Sequence, residues 1–227
     1  MAIIHRTTLT PTKLELLTPW LPTQPWYLGA DREPVLSKAG GFRLDDPQGE
    51  VGIEFMVVTD ESGDQPVSYH VPLSYRGAAL EGAEGALIGT SEHGVLGKRW
   101  IYDGTQDPVL VAQLLELLQG RTEPQAQSLT DTPDPSVTVH VGGAAVTTGL
   151  VSTTVANGPD GTRLTVAAAA SAPDRPSALH VARVLLPAAS PADASPANTS
   201  GHVTAGWRSP DGGEHRAVFA ALGTTGS

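Results

Sequence analysis

Residues 50–76 read EVGIEFMVVTDESGDQPVSYHVPLSYR and contain two runs rich in residues that favour β-strands. The runs are residues 50–60 and 66–76, and the short polar segment ESGDQ, with one glycine, lies between them. Two strand-like runs joined by so short a polar turn favour an antiparallel hairpin. We therefore expect the N-terminal part of the chain to form a mainly antiparallel sheet.

Further elements surround this hairpin. A short helix is expected over residues 11–18, with Thr10 before its first turn and Pro19 at its end. Three other segments have strand-like composition, namely residues 1–9, 38–44 and 98–102. The N-terminal region is thus predicted to combine several strands with few helices.

Residues 107–120, DPVLVAQLLELLQG, predict the principal helix of the chain. Asp107 suits the N-cap, Pro108 suits the first turn, and Gly120 stands where a left-handed residue ends a helix. The apolar residues of this segment span more than one narrow stripe, so we expect the helix to lie against the sheet.

A change of composition divides the chain. Residues 121–136 are polar, carry three prolines and have no apolar period, which predicts a linker. Residues 137–223 then alternate short strand-like runs with turns rich in proline and glycine. We therefore predict a domain over residues 1–120, a linker over 121–136 and a small, mainly β module over 137–223.

Composition excludes several classes of partner. The 227 residues carry a formal net charge of −10 and include no cysteine. An acidic chain repels polyanions, so we expect no nucleic acid partner. No apolar run approaches the roughly 18 residues of a membrane span, and the N-terminus does not resemble a signal peptide. We therefore expect a cytoplasmic protein without a membrane partner.

Sequence motifs for known catalytic chemistry are missing. There is no phosphate-binding glycine loop of the nucleotide-hydrolase or kinase type and no kinase catalytic-loop series. The nearest approach to a nucleophile motif, GTSEHG at residues 89–94, has His93 where the second glycine belongs. We expect no catalytic residue, and the motifs favour a non-catalytic protein while leaving enzymatic activity open.

The histidines do not form a metal-binding pattern. None of the seven is paired at a spacing of two or four residues, and cysteine ligands are absent. We therefore expect no metal and no cofactor. His70, His140 and His180 alternate with apolar residues in strand-like runs, so we expect them on a solvent-facing sheet surface.

Residues 20–34, WLPTQPWYLGADREP, concentrate aromatic and charged side chains in a chain that is only 5% aromatic. Aromatic rings can stack on a ligand or pack a buried corner, and the charges beyond them can dock a partner. The candidate binding residues are Trp20, Trp26, Tyr27, Asp31, Arg32 and Glu33.

The same stretch resembles the N-terminal cap domain of actinobacterial maltokinases and related aminosugar kinases, which begins WL..QRWY.G..RE. Here Pro25 stands where the family usually has arginine. The resemblance continues in YHVPLSY at 69–75, ALIG at 86–89 and YDGTQDPVLVAQLLELL at 102–118. The chain is also similar to stand-alone cap-like proteins that are often loosely labelled 1,4-α-glucan branching proteins.

The resemblance implies an α+β cap fold for residues 1–120, with a curved, cystatin-like antiparallel sheet and a long helix. Residues 149–170 are dimly similar to a kinase N-lobe hairpin, with Val166 and Ala167 where the ATP-binding lysine would stand. The second module is therefore predicted to be either an unrelated β module or a reduced kinase N-lobe.

The resemblance and the missing catalytic motifs favour a non-catalytic accessory or regulatory module that acts through a protein partner. A sugar kinase or an α-glucan-metabolising enzyme is the expected partner, in glycogen or trehalose metabolism. Carbohydrate binding by Trp20, Trp26 and Tyr27 is the alternative.

A second alternative is a residual sugar-kinase-related transferase. Its site would be built around Tyr69, Arg76, Glu92 and His93. Self-association of the chain stays open beside these functions.

Overall fold

The described parts of the chain form a mainly β structure with two helices. A computed structural model describes residues 8–29, 32–129, 131–142, 150–168, 177–186 and 199–224. The helices are α1 (Lys13–Trp20) and α2 (Pro108–Leu118). The strands are β1 (Leu9–Thr10), β2 (Leu36–Leu44), β3 (Gly52–Asp60), β4 (Val67–Arg76), β5 (Leu87–His93), β6 (Gly97–Asp103), β7 (Gln125–Ala126), β8 (Thr138–Val141), β9 (Leu150–Gly158), β10 (Gly161–Ala168), β11 (Ser177–Val181), β12 (Val184–Leu185), β13 (Thr199–Arg208) and β14 (Glu214–Thr224).

The predicted hairpin forms the centre of the N-terminal half. β3 and β4 pair antiparallel without a register shift, from Gly52 opposite Tyr75 to Asp60 opposite Val67. β2 pairs with β3, while β6 and β5 continue the sheet beyond β4. The antiparallel sheet and the strands predicted over 38–44 and 98–102 are confirmed. Most of the strand predicted over residues 1–9 lies outside the described residues.

One face of this hairpin is covered by α1. Met56 and Val58 of β3 form a buried apolar cluster with Leu17 of α1 and with the corner that follows the helix. The cap of α1 is Thr12, whose hydroxyl accepts the Glu15 N–H while the Glu15 carboxylate accepts the Thr12 N–H. The cap predicted at Thr10 is wrong, because this capping box begins the helix two residues later.

The opposite face of the hairpin packs against α2 and the C-terminal strands. Phe55 and Val57 of β3 belong to this second cluster. Six α2 residues are buried in it, namely Leu110, Val111, Leu114, Leu115, Leu117 and Leu118. Both faces of the hairpin carry apolar side chains, because α1 covers one face while α2 and the C-terminal strands cover the other.

The predicted cap and end signals of α2 are both present. The Asp107 side chain accepts the Val109 N–H at 2.9 Å, and Gly120 has a φ of +67°. These two signals enclose a helix of eleven residues, about 16 Å long. The helix predicted over residues 107–120 is therefore confirmed, whereas its eleven residues do not support the long helix of the implied cap fold.

The C-terminal strands continue the same sheet path. Their order is β13, β14, β11, β10 and β9, all antiparallel, with β8 on the other edge of β13. Leu164 of β10 and Phe219 of β14 share the cluster that holds α2 and β3. This arrangement does not support the predicted reduced kinase N-lobe, because these strands complete the core around α2.

The division into two domains and a linker stays a prediction. Within the predicted linker, Gln125 and Ala126 form β7 and pair with Arg43 and Phe42 of β2. This part of residues 121–136 is therefore attached to the N-terminal sheet.

A buried ion pair connects the two halves of the chain. Arg183 is fully buried, and its Nη2 lies 2.7 and 2.6 Å from the two carboxylate oxygens of Asp103. Its Nε donates to Thr162 Oγ1 at 2.7 Å, and its guanidinium carbon lies 5.2 Å from the centre of the Trp26 ring. The pair satisfies two charges that would be costly to bury alone.

We expect the Arg183→Leu substitution to lower the free energy of unfolding by about 3–5 kcal/mol, because it leaves Asp103 as an unpaired buried charge. Chemical denaturation measures the change. The matched control is Arg121→Leu, since Arg121 forms an exposed pair with Glu116 that solvent screens. Equal stability of the two variants would contradict a central role for the buried pair.

Candidate functional site

The three aromatic residues of the candidate stretch meet Tyr69 of β4 at the end of α1. We call this cluster of Trp20, Trp26, Tyr27 and Tyr69 the aromatic corner. The Trp20 and Trp26 rings lie 5.8 Å apart in an edge-to-face arrangement. Tyr69 of β4 lies 5.9 Å from Trp26 and 5.4 Å from Tyr27. A three-residue helical turn after α1 places Trp26 beneath the helix, where it packs on the sheet.

Burial decides what these rings can contact. Trp26 and Tyr69 are fully buried, whereas Trp20 and Tyr27 are partly exposed. The indole Nε1 of Trp26 has no hydrogen-bond partner among the described residues, although the Arg183 guanidinium lies over its ring. Trp26 therefore has no free face on which a sugar could stack.

Asp60 connects the aromatic corner to the segments around residues 35 and 62 through hydrogen bonds. Its carboxylate accepts hydrogen bonds from the Tyr27 hydroxyl at 2.7 Å and from the Val35 and Ser62 N–H groups at 3.0 Å. Burial alone raises the pKa of Asp60, but these donors hold it below its ordinary value. Burial, and then the Asp60 carboxylate, raise the pKa of Tyr27 well above its ordinary value. The Tyr27 hydroxyl is thus a structural hydrogen-bond donor.

The charged residues of the stretch lie outside the corner. Arg32 and Glu33 are exposed, and Arg32 Nη1 donates to the Ser62 carbonyl at 3.1 Å. Asp31 lies outside the described residues. Arg32 and Glu33 border a groove of about 550 Å³, which we call the α1 groove. Its lining residues are Glu15, Thr18, Pro19, Pro22, Arg32, Glu33 and Pro34.

Residue spacing could have indicated the other wall of this groove. Glu15, Thr18, Pro19 and Pro22 follow the spacing i, i+3, i+4, i+7 that places residues on one side of a helix. Sequence reasoning missed them because it treated the aromatic rings, rather than the helix surface, as the recognition feature. The structure brings this helix surface together with two of the predicted charged residues.

Residues 20–107 match the family model of the maltokinase N-terminal cap domain. The predicted resemblance is confirmed over these residues, which we call the cap region. The match covers less than half of the chain, begins in the aromatic corner and ends at the cap residue of α2. It supports a setting in carbohydrate metabolism and suggests an accessory role in a maltokinase-like protein. No curated protein matches the chain.

A second polar cluster in the cap region anchors α1. Glu54 of β3 is buried, and its carboxylate lies 2.6 Å from Lys13 Nζ. The Tyr75 hydroxyl and Gln127 Nε2 also donate to it. Burial alone raises the pKa of Glu54, but the Lys13 ammonium and the Tyr75 hydroxyl hold it below its ordinary value. Lys13 and Gln127 thus attach α1 and residue 127 to the sheet, and Tyr75 donates from the neighbouring strand β4.

The residues proposed for a transferase site are held in separate environments. Tyr69 accepts the Leu28 N–H at 3.0 Å within the aromatic corner. Arg76 forms two hydrogen bonds of 2.6 Å to Asp107 at the start of α2. His93 Nδ1 accepts N–H groups of its own turn, and Glu92 is exposed. The structure does not bring these side chains together around one cavity.

The described residues also lack two other features of functional sites, a metal-binding cluster and a membrane-spanning helix. They contain no group of three or more histidine, aspartate or glutamate side chains placed to hold a metal ion. The helices in the same residues are too short or too polar to cross a membrane.

His70 differs from its predicted position. It is fully buried between the Phe55 and Phe219 rings, and its Nδ1 donates to the Ala182 carbonyl at 2.8 Å. The prediction of a solvent-facing His70 is wrong, because the C-terminal strands cover this face of β4. Burial, aided by the Arg183 cation and opposed by the Ala182 hydrogen bond, lowers the pKa of His70 to about 3.

We expect His70 to make stability depend on pH. The unfolded chain binds a proton here below a pKa of about 6.5, whereas native His70 stays neutral down to about 3. Its contribution is therefore complete above the unfolded pKa and falls by about 1.4 kcal/mol for each pH unit below it. Denaturation of the wild type and of His70→Gln across this range measures the difference, and parallel pH curves would contradict the assignment.

We also expect maltose, trehalose, glucosamine and glycogen to leave the intrinsic tryptophan fluorescence unchanged, because the Trp26 ring is buried. Titration of the chain with each sugar tests this. A saturable signal that Trp20→Phe abolishes and the control Trp100→Phe retains would instead support carbohydrate binding at the aromatic corner.

Proposed function

We propose that the chain is an accessory module that binds and regulates a sugar kinase or an α-glucan-metabolising enzyme. The observation that carries this proposal is the match of residues 20–107 to a kinase cap domain. A cap is an accessory part of a kinase, so a chain that carries one without recognisable kinase motifs is suited to act on a partner.

The α1 groove is the proposed docking surface. The helix that forms one wall of the groove is held in a fixed position on the sheet. Leu17 of α1 packs in the buried core, and Lys13 forms an ion pair with Glu54. Prolines at 19, 22 and 34 line the groove. Because proline has few accessible backbone conformations, such a surface loses little entropy when a partner binds.

Charge indicates what the partner surface should carry. Glu15 and Glu33 line the groove with Arg32, and the whole chain has a net charge of −10. Complementary charges accelerate association and disfavour wrong partners more than they strengthen the complex. The proposed partner therefore presents a mainly basic surface with at least one acidic group opposite Arg32.

A maltokinase-type kinase from the same organism is the first partner to examine. We accordingly propose that the chain acts in glycogen or trehalose metabolism in the cytoplasm. Carbohydrate binding at the corner is disfavoured because Trp26 is buried.

We expect the purified chain to form a complex with such a kinase, and Glu33→Lys to weaken it about tenfold by reversing a charge at the groove. Biolayer interferometry measures the association and dissociation rates. Glu123→Lys is the matched control, because Glu123 is exposed, carries the same charge and lies outside the groove.

Loss of binding in both variants would indicate a general charge effect and contradict docking at the α1 groove. The absence of any complex at micromolar concentrations, also in size-exclusion chromatography at low ionic strength, would contradict the partner. Kinase rates with and without the chain then test regulation directly.

A further inference from the structure

The described sheet has an opening where its two halves meet. β2 and β13 pair at a single position, Gly40 opposite Trp207. The pairing of β13 with β8 ends at Thr204, so residues 205–206 lie between the two partners. β2 also shifts its register against β3 between Lys38 and Gly40. β2 and β13 thus share fewer paired positions than the other strand pairs of the described sheet.

A groove of about 530 Å³, which we call the seam groove, lies at this opening. Gly40, Gly41 and Gly206 contribute no side chains to it. A Cβ at Gly40 would lie 3.2 Å from the Trp207 backbone, and the φ of +123° at Gly41 favours glycine. The remaining lining residues are Ala39, Ser136, Trp207, Arg208, Glu214, His215 and Arg216.

The charges in the seam groove do not cancel. Arg208 pairs with Glu214 at 2.8 Å, and both side chains are exposed. Arg216 Nη2 donates to the hydroxyls of Thr138 and Thr204 at 3.0 and 3.3 Å, and no carboxylate pairs with Arg216 among the described residues. The groove therefore keeps one uncompensated guanidinium in a chain whose net charge is −10.

This guanidinium has the chemistry of an anion contact. The two threonine hydroxyls hold Nη2, while Nη1 and Nε make no hydrogen bond within the described structure. A planar guanidinium donates paired hydrogen bonds to phosphate oxygens, and Ser136 supplies a further polar group in the same groove. The volume lies within the range of about 300–1,000 Å³ that is usual for small-molecule sites.

We propose that the seam groove binds a small phosphate-bearing organic ligand, with Arg216 as its principal anion contact. The seam groove shares no lining residue with the α1 groove, so ligand binding here does not depend on the proposed docking of a protein partner. A hydroxyl-rich phosphate fits best, because the Ser136 hydroxyl and the backbone of three glycines line the groove with Arg216.

Isothermal titration calorimetry at constant ionic strength tests the proposal with inorganic phosphate, glucose 6-phosphate and glucose. We expect saturable binding of glucose 6-phosphate, at least about tenfold weaker in Arg216→Gln, with partial retention in Arg216→Lys. Arg163→Gln is the matched control, since Arg163 is an exposed arginine on β10 outside the groove. We expect this substitution to change the affinity less than twofold, which corresponds to about 0.4 kcal/mol or less. Thermal unfolding verifies that each variant is folded.

The outcomes separate the sources of affinity. Stronger binding of glucose 6-phosphate than of inorganic phosphate supports recognition of the whole ligand, and equal binding supports a site for the phosphate group alone. Equal binding of glucose would overturn the role of the anion. Equal losses in Arg216→Gln and Arg163→Gln, or no saturable binding, would overturn the site.

Discussion

The buried pair of Arg183 and Asp103 is the interaction on which the described structure most depends. Two charges removed from water are tolerated only when hydrogen bonds and opposite charge compensate them. Arg183 meets this requirement with groups from both halves of the chain, Asp103 on one side and Thr162 on the other. Its guanidinium also covers Trp26, and its backbone carbonyl accepts the His70 N–H. The aromatic corner and the covered face of β4 are therefore positioned by the same residue.

This dependence explains how the cap region separates packing from recognition. Its aromatic rings lie between α1, β4 and Arg183, so they stabilise the corner and leave little surface for a ligand. The charges that follow them in the chain lie outside and border the α1 groove. A rigid apolar base with exposed charges above it is an arrangement suited to docking a protein, which is the function proposed for this surface.

Much of the fold could be predicted because its signals are local. The hairpin over residues 50–76 and the limits of α2 depend on turn residues, caps and strand propensity that neighbouring residues supply. The resemblance to a cap domain could also be predicted, because Trp20, Trp26 and Tyr27 follow one another in the family's order along the chain. The family match over residues 20–107 confirms it. By contrast, the cap of α1 was wrongly predicted, although the Thr12–Glu15 capping box is present in the sequence.

The sequence by itself therefore determined most of the strands, the limits of α2 and the resemblance of residues 20–107 to the maltokinase cap domain. Only the tertiary structure decided which faces are covered, and so which polar groups are buried. His70 looks solvent-facing in its alternating strand, yet strands more than a hundred residues later cover it. The partners of Arg183 and Glu54 and the seam groove are likewise contacts between distant segments. Local patterns cannot specify them, because burial and electrostatic compensation depend on which surfaces meet when the chain folds.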